Sequence, residues 1–295
     1  MRIQAVIQSM RGPFLVLAPI CVFLGMSTVI ASQGNISMFT LVLAALGAFL
    51  AHISVNMLNE YFDFKSGLDM ETVRTPFSGG SGALPQNPEM VGAVLMGGVV
   101  SSVALFMIGS YFVWQHGAGI VPVGIIGLLL IATYTGWINR HPFLCLVAPG
   151  LGFGFLMVAG TQFVLQGYYS QQALIVACVP FFLVNNLLLL NQFPDVEADR
   201  KAGRNHFPIA FGLKRSSQVY GLFVLMTIAV IVVSVVQGYL PMLSLIALIP
   251  MPLALFSLSG AFKYGADIGG HPQYLAANVV VTLLTTFLLG VSLIV

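Results

Sequence analysis

Long, continuously apolar runs alternate with short polar segments along the whole chain. Each run is close to the ~20 residues that a helix needs to cross about 30 Å of hydrocarbon. The nine runs are 14–32, 38–59, 90–114, 120–137, 143–166, 172–193, 219–237, 240–258 and 274–295. Unbroken apolarity is typical of membrane helices, whereas barrel strands alternate. The pattern therefore predicts an all-α, polytopic membrane protein in which nine transmembrane helices surround a central cavity.

Composition excludes several classes of protein. Apolar residues make up 58% of the 295-residue chain and charged residues only 7%, whereas a soluble domain carries roughly a quarter charged residues. The mean hydropathy is +0.97, and a soluble domain of this size cannot bury so much apolar surface. A soluble enzyme and a disordered chain are excluded, and a net charge of +2 gives no reason to expect nucleic acid. We expect one transmembrane domain over residues 1–295.

All charged side chains fall in five segments, 1–13, 60–89, 138–142, 194–218 and 259–273. If the runs are consecutive spans, these segments share one side of the membrane and the other side carries no charge. Lys and Arg mark the cytoplasmic side by the positive-inside rule. We therefore expect a cytoplasmic N-terminus, an outside C-terminus and a multi-pass protein of the cytoplasmic (inner) membrane. The nine carboxylates on that side are not part of the rule and need another explanation.

The second run ends in a polar stripe. His52, Asn56, Asn59 and Asp63 are spaced four, three and four residues apart, which places them on one face of a helix. Lipid is excluded as the neighbour of this face, because unsatisfied polar groups in hydrocarbon cost several kcal/mol each. The stripe is therefore expected to line a cavity inside the bundle, with Asp69 following in a loop.

The sixth run ends in a similar stripe, in which Asn191, Asp195 and Asp199 are each four residues apart. Pro194 lies inside it and is expected to break the helix, because proline lacks the N–H donor and clashes with the preceding turn. Both stripes begin with Asn, three residues and Asp, which indicates a possible internal duplication near 56–69 and 191–199. Intramembrane polar residues are functional by default, so we expect the stripes to face each other across one cytoplasmic-side cavity.

Carboxylates crowded at one cavity mouth repel each other unless a cation lies between them. Oxygen ligands without a His or Cys cluster suit a hard cation such as Mg²⁺, which takes one or two carboxylates and substrate phosphate. Basic residues near the stripes are candidates for phosphate contacts; they are Lys65, Arg74, Arg140, Arg200, Lys201 and Arg204. A diphosphate held there, above a deep apolar bundle, indicates a polyprenyl diphosphate. The glycine-rich run at 79–82 fits either an anion-binding nest or a flexible loop.

The segments NEYFDFKSGLD and DVEAD resemble the paired Asp-rich motifs of the UbiA superfamily of intramembrane prenyltransferases. The Gly of KSGLD, the YTG that follows the fourth span and the TQFVLQG near the end of the fifth are most similar to the branch that prenylates dihydroxynaphthoate in menaquinone synthesis. Two departures are Glu60, where the family usually has Asp, and Asn205-His206, where that branch often has Lys-Arg.

The resemblance implies a nine-span fold with a site for Mg²⁺ and diphosphate. The implied metal ligands are Asn59, Asp63, Asp69, Asn191, Asp195 and Asp199. The four Asp residues are also the implied catalytic residues, together with Tyr134 near the reacting carbon. Lys65, Arg74 and Arg140 are implied to neutralise the leaving group.

The function that this resemblance implies is Mg²⁺-dependent transfer of a polyprenyl group from an allylic polyprenyl diphosphate to an aromatic acceptor, in menaquinone-like quinone synthesis. The expected partners are these two substrates and membrane lipid, with no obligate protein partner. Two alternatives stay open. A secondary transporter with a cation-coordinating site also has polar stripes on broken helices, although its site would be reached from both sides of the membrane. A lipid-forming transferase or terpene cyclase of the same superfamily is the other alternative.

Overall fold

A computed structural model describes residues 2–295, and this part of the chain is helical, without strands. The α-helices are α1 (Arg2–Ser9), α2 (Leu17–Ala31), α3 (Met38–Lys65), α4 (Leu68–Glu71), α5 (Ala83–Gln86), α6 (Val91–His116), α7 (Val121–Thr133), α8 (Pro142–Gly150), α9 (Gly160–Gln166), α10 (Gln171–Asn191), α11 (Val196–Lys201), α12 (Phe207–Phe211), α13 (Leu213–Val236), α14 (Met251–Tyr264) and α15 (Pro272–Ile294). The predicted all-α membrane architecture is confirmed.

Seven helical segments of the described chain are long and apolar enough to cross a membrane. The count is eight if the two N-terminal segments Ile3–Phe14 and Leu17–Ala31, which are bent by 45° relative to each other, form one span. Nine separate spans are not confirmed, because the third and fourth predicted runs belong to one helical stretch, Pro88–Thr133. A straight helix of that length would extend about 69 Å at 1.5 Å per residue, more than twice the hydrocarbon thickness. Gly117, with φ +74°, interrupts the α-helical backbone between α6 and α7.

Helix α10 lies at the centre of the bundle. It packs against α2, α8, α13, α15 and the segment Leu151–Ala159, and 67% of its most apolar stretch is buried inside the protein. A helix that is apolar on every face is expected to be surrounded by others. The burial of α10 fixes the position of its last residue, Asn191, at which the second polar stripe begins.

A wide helical turn forms one wall of the interior. Pro149 cannot donate a backbone hydrogen bond, and the chain that follows it adopts π-helical geometry over Leu151–Ala159. At Gly150 the backbone comes so close to α10 that an added Cβ would lie 2.2 Å from the carbonyl oxygen of Phe181. The Gly150 N–H donates to Asn185 Oδ1 at 2.6 Å. The small residue thus permits close helix packing, as in other membrane bundles.

Candidate active site

The interior contains two adjoining cavities. The first, the apolar chamber, has a volume of about 530 Å³ and lies between α3, α6, α7 and the π-helical wall. The second, the polar chamber, has a volume of about 170 Å³ and lies at the ends of α3 and α10. Seven residues line both and define the junction: Arg11, His52, Asn56, Asn59, Tyr134, Phe153 and Leu188. The molecule therefore offers one space with an acidic end and an apolar end.

The first motif is placed by helix α3, which runs unbroken to Lys65. Its polar stripe faces inward as expected, since His52, Asn56, Asn59 and Asp63 all line the polar chamber. Asp69 follows in the one-turn helix α4 rather than in an irregular loop. Gly67, with φ +81°, makes the turn between α3 and α4, a backbone conformation that favours glycine. This turn returns Asp69 to the chamber that Asp63 lines.

The second motif is placed by the end of α10. The helix stops at Asn191, and α11 begins at Val196, so the break predicted at Pro194 is present. Asn191, Asp195 and Asp199 line the polar chamber in spite of the break. All six candidate metal ligands are therefore brought to one cavity, from two segments that are far apart in sequence.

Arg204 connects the two motifs directly. Its Nη1 donates to Asp199 Oδ1 at 2.8 Å, and its Nη2 donates to Asp63 Oδ1. The other oxygen of Asp199 lies 2.8 Å from Nε2 of His206, a residue that is buried. The guanidinium therefore occupies the space between one carboxylate of each motif and offsets part of their repulsion.

The other two motif carboxylates, Asp69 and Asp195, have raised pKa values, which indicates negative charge that nearby cations do not fully compensate. Burial, together with the neighbouring Glu60 and Asp63, raises the pKa of Asp69 to about 7. Burial and Asp199 raise the pKa of Asp195 to about 7 as well. Both directions are expected where charged groups leave water and approach like charges. A bound cation would reverse both effects, because it favours the ionised carboxylates.

The glycine-rich run at 79–82 is a fixed part of the site. The Gly79 N–H donates to Asp195 Oδ2 at 2.9 Å. Gly80 passes so close to Asp69 that an added Cβ would lie 2.6 Å from its Oδ1. Gly79, Gly80 and Gly82 all have positive φ between 74° and 79°, the region that only glycine adopts freely. The loop thus joins residues of both motifs, which sequence spacing alone did not show.

Glu60, the departure from the family pattern, is not a chamber residue. Its side chain is fully buried, and it accepts hydrogen bonds from Arg11 Nε at 2.9 Å and Nη2 at 2.7 Å. It also accepts from the backbone N–H and the hydroxyl of Ser81, both at 2.7 Å. Glu60 therefore holds Arg11 at the junction and fastens the 79–82 loop. The sequence indicated neither role, although an isolated Arg before the first span and a Glu in place of Asp were visible.

Replacing Glu60 with Ala is expected to destabilise the protein, because Arg11 would lose its buried counter-ion. Removing one partner of a buried pair costs about 3–5 kcal/mol, and the side chain of Arg11 is 26% exposed, so we expect the lower end of that range. Thermal unfolding in detergent measures the loss, with the exposed Glu89→Ala as the matched control. Equal unfolding midpoints for the two variants would contradict the structural role of Glu60.

The candidate diphosphate-binding cations differ in position. Of the six, Arg204 lines the polar chamber, and the other five are exposed and are not among its lining residues. Arg200 pairs with Glu197 at 3.4 Å and Lys201 with Glu71 at 3.4 Å, both between largely exposed side chains. Exposed ion pairs of this kind contribute little to the free energy of folding. The diphosphate roles of Lys65, Arg74 and Arg140 stay predictions.

The polar chamber has the donor chemistry for a hard divalent cation. Asp69 Oδ2 and Asn191 Oδ1 are buried oxygens without a hydrogen-bond partner, which is costly unless something else binds them. Within residues 2–295, no three His, Cys, Asp or Glu side chains converge closely enough to hold a metal by themselves. The arrangement fits Mg²⁺, which takes one or two carboxylates and completes its octahedron with water and phosphate.

Proteins of known function resemble this chain at low identity. Over 166 residues it is 28% identical to the 1,4-dihydroxy-2-naphthoate octaprenyltransferase of Bacillus subtilis, covering 55% of this chain and 51% of that protein. Over 254 residues it is 27% identical to the digeranylgeranylglyceryl phosphate synthase of Thermococcus kodakarensis, covering 84% and 85%. The chain spans 51% to 59% of the length of three of the curated relatives that it matches.

Solved structures share the fold. A UbiA homolog from Archaeoglobus fulgidus, solved with DMAPP and Mg²⁺ bound, has a TM-score of 0.66 over 98% of both chains at 15% identity. A structure of digeranylgeranylglyceryl phosphate synthase has a TM-score of 0.65 over 99% of both chains, also at 15% identity. The sequence profile of the UbiA prenyltransferase family matches residues 18–267, which is most of the chain. Because this family match covers most of the chain, the protein belongs to the UbiA prenyltransferase family.

Proposed function

We propose that the protein transfers a polyprenyl group from an allylic polyprenyl diphosphate to an aromatic acceptor, in a Mg²⁺-dependent step of quinone biosynthesis. The observation that carries the proposal is the pair of chambers: an acidic cavity of about 170 Å³ adjoins an apolar one of about 530 Å³. A polyprenyl diphosphate has the same division into a charged head and an apolar tail. The junction then fits the carbon–oxygen bond between head and tail, which is the bond that breaks.

The chamber residues support breakage of this bond. Mg²⁺, when bound, supplies positive charge to the diphosphate oxygens as the bond ionises. Arg11 and Arg204 line the polar chamber and add fixed positive charge beside the leaving group. Apolar walls keep water from capturing the allylic cation. The acceptor, held at the junction, supplies the electron pair for the new bond.

Individual roles follow from this division of the site. We assign contacts with metal and diphosphate to the oxygen ligands of the polar chamber, which are Asn59, Asp63, Asp69, Asn191, Asp195 and Asp199. Tyr134, at the junction, is assigned to the surroundings of the reacting carbon. The exposed cations are assigned to the entering or departing diphosphate; they are Lys65, Arg74, Arg140, Arg200 and Lys201. The cytoplasmic side is proposed for the polar chamber because the charged segments cluster there.

The acceptor class is proposed from sequence resemblance. Relatives in Bacillus subtilis and Escherichia coli are named 1,4-dihydroxy-2-naphthoate octaprenyltransferases, which favours an aromatic acceptor and menaquinone-like synthesis. Relatives in two Thermococcus species are named digeranylgeranylglyceryl phosphate synthases, which favours a glyceryl phosphate lipid as the second candidate. Both acceptors would present a nucleophile to the same allylic carbon, a ring carbon activated by a hydroxyl group in the aromatic acceptor or the hydroxyl oxygen in the glyceryl phosphate, so the diphosphate half of the site serves either reaction.

Mass spectrometry of lipids from membranes that contain the protein tests the proposal. Geranylgeranyl diphosphate is supplied with either 1,4-dihydroxy-2-naphthoate or geranylgeranylglyceryl phosphate. We expect a prenylated dihydroxynaphthyl product with the first acceptor, at the same quinol oxidation level as that acceptor, and none from membranes that carry the Asp195→Ala variant. A product with the glyceryl phosphate alone would contradict the quinone assignment while keeping the transferase activity. No product with either acceptor would contradict both.

A further inference from the structure

The fate of the acceptor's proton is not explained by the motif residues. An alcohol acceptor gives up its hydroxyl proton as it attacks the allylic carbon, and a phenol attacks through its ring carbon more readily when its hydroxyl proton leaves, so a proton acceptor near the reacting bond assists either reaction. The carboxylates of both motifs line the polar chamber and are absent from the lining of the apolar one. On the proposed function they face the diphosphate. The proton acceptor is therefore to be sought among the residues of the junction.

Chemistry leaves one candidate among the seven junction residues. Phe153 and Leu188 have no titratable group, and the amides of Asn56 and Asn59 do not accept protons near neutral pH. Arg11 is a permanent cation that is already bound to Glu60. Tyr134 carries a phenol, which is a donor when neutral. His52 is the remaining residue, and a neutral imidazole has a ring nitrogen that can accept a proton.

The geometry of His52 agrees with this role. The residue is 6% exposed, and its Nδ1 is buried without a hydrogen-bond partner. An unpartnered polar atom in a buried place is costly, and this one lies on a side chain that lines both chambers. The ring is held edge-on against Phe153, with 4.8 Å between ring centroids. In His206, by comparison, Nε2 is hydrogen-bonded to Asp199, and the residue lines the polar chamber but not the apolar one.

Resting on the proposed function, we propose that His52 is the catalytic residue that accepts the hydroxyl proton of the acceptor. The C1–O bond of the prenyl diphosphate breaks, and its electron pair leaves with the diphosphate. The acceptor supplies the pair for the new bond to C1, through oxygen in an alcohol or through a ring carbon in a phenol. As it does so, the hydroxyl proton passes to a ring nitrogen of His52, which becomes an imidazolium. That proton then leaves through the polar chamber, to the diphosphate or to water. In the phenol the hydroxyl oxygen becomes a carbonyl as its proton leaves, and the hydrogen on the alkylated ring carbon then moves as a proton to that oxygen, which restores the aromatic ring.

The proposal predicts that loss of His52 uncouples bond breakage from transfer. In His52→Gln and His52→Phe, prenylated product from geranylgeranyl diphosphate and 1,4-dihydroxy-2-naphthoate should form with a kcat at least about 10²-fold lower. The KM for geranylgeranyl diphosphate should stay within about threefold, because its binding does not need a base. Free diphosphate and geranylgeraniol should then form faster than the coupled product, since water replaces the acceptor.

His116→Gln is the matched control, because His116 also has a buried, unpartnered ring nitrogen but is not among the lining residues of either chamber. It should keep both kcat and coupling. Coupled turnover by either His52 variant above a tenth of the wild-type rate would overturn the proposal, and so would a rise in KM with kcat unchanged. Loss of geranylgeranyl diphosphate binding in both variants would also overturn it. Failure of the wild-type protein to prenylate any acceptor would instead contradict the proposed function.

Discussion

Replacing Asp63 or Asp195 with Ala is expected to lower kcat/KM for prenyl transfer by at least about 10²-fold, comparable to the loss of one strong electrostatic contact to a transition state. Each residue comes from a different motif, and both line the polar chamber. On the proposed mechanism, each helps to hold the cation that neutralises the departing diphosphate. The effect should appear in kcat, because the charge on the leaving group grows as the bond breaks.

Two controls separate this effect from misfolding. Glu89→Ala removes a carboxylate from an exposed position outside the chamber and should remain near wild type. Asp63→Asn keeps the size of the side chain and an oxygen that can accept a hydrogen bond from Arg204. This variant therefore tests the loss of charge with less disturbance of the site than Asp63→Ala. Equal, modest losses in Asp63→Ala, Asp195→Ala and Glu89→Ala would remove the case for a metal-diphosphate site in this chamber.

The inward face of α3 could be predicted from sequence because a single helix carries it. Four polar residues at helical spacing inside an apolar run have few solutions other than a cavity, and His52 to Asp63 line one. The second stripe was predictable from the same helical spacing, since Asn191, Asp195 and Asp199 are each four residues apart. Pro194 breaks the helix, yet the short turn to α11 leaves Asp195 and Asp199 in the same chamber.

The contacts that join distant segments could not be predicted. Arg204 reaches both Asp63 and Asp199, and the 79–82 loop reaches Asp195 and Glu60, but no period in the sequence reports such pairings. Distance along the sequence also failed to show which basic residue lines the chamber. Six looked equivalent from their distance to the motifs, whereas burial distinguishes Arg204 from the others. Arg11, whose nearest partner lies 49 residues away along the chain, had no motif to mark it.

The number of spans depends on an interruption of the helix that hydropathy does not report. The runs at 90–114 and 120–137 read as two spans because each has the right length. In the structure the two runs correspond to α6 and α7, which follow each other within the helical stretch Pro88–Thr133 and are separated by an interruption at Gly117. Hydropathy reports that a segment is apolar and long, but a single residue with positive φ decides whether two segments are one element or two. The apolar chamber depends on this detail, because both α6 and α7 contribute to its walls.

Removal of divalent metal is expected to abolish prenyl transfer, and added Mg²⁺ is expected to restore it. Charge stabilisation by a metal is worth several kcal/mol, so activity in excess EDTA should fall by at least about 10³-fold. The structure gives two reasons: buried oxygens of Asp69 and Asn191 lack partners, and the pKa of Asp195 is raised to about 7 by burial and Asp199.

Both reasons describe a chamber with more negative charge and more free oxygen than its own cations satisfy, since Arg204 reaches only Asp63 and Asp199 among the motif carboxylates. A Mg²⁺ titration of the EDTA-treated wild type, followed by release of diphosphate, measures the dependence. The Asp195→Ala variant should need more Mg²⁺ to reach its own lower maximum, because one ligand is missing. Full turnover in excess EDTA would mean that Arg11 and Arg204 neutralise the diphosphate by themselves, and the acidic residues would then need a different explanation.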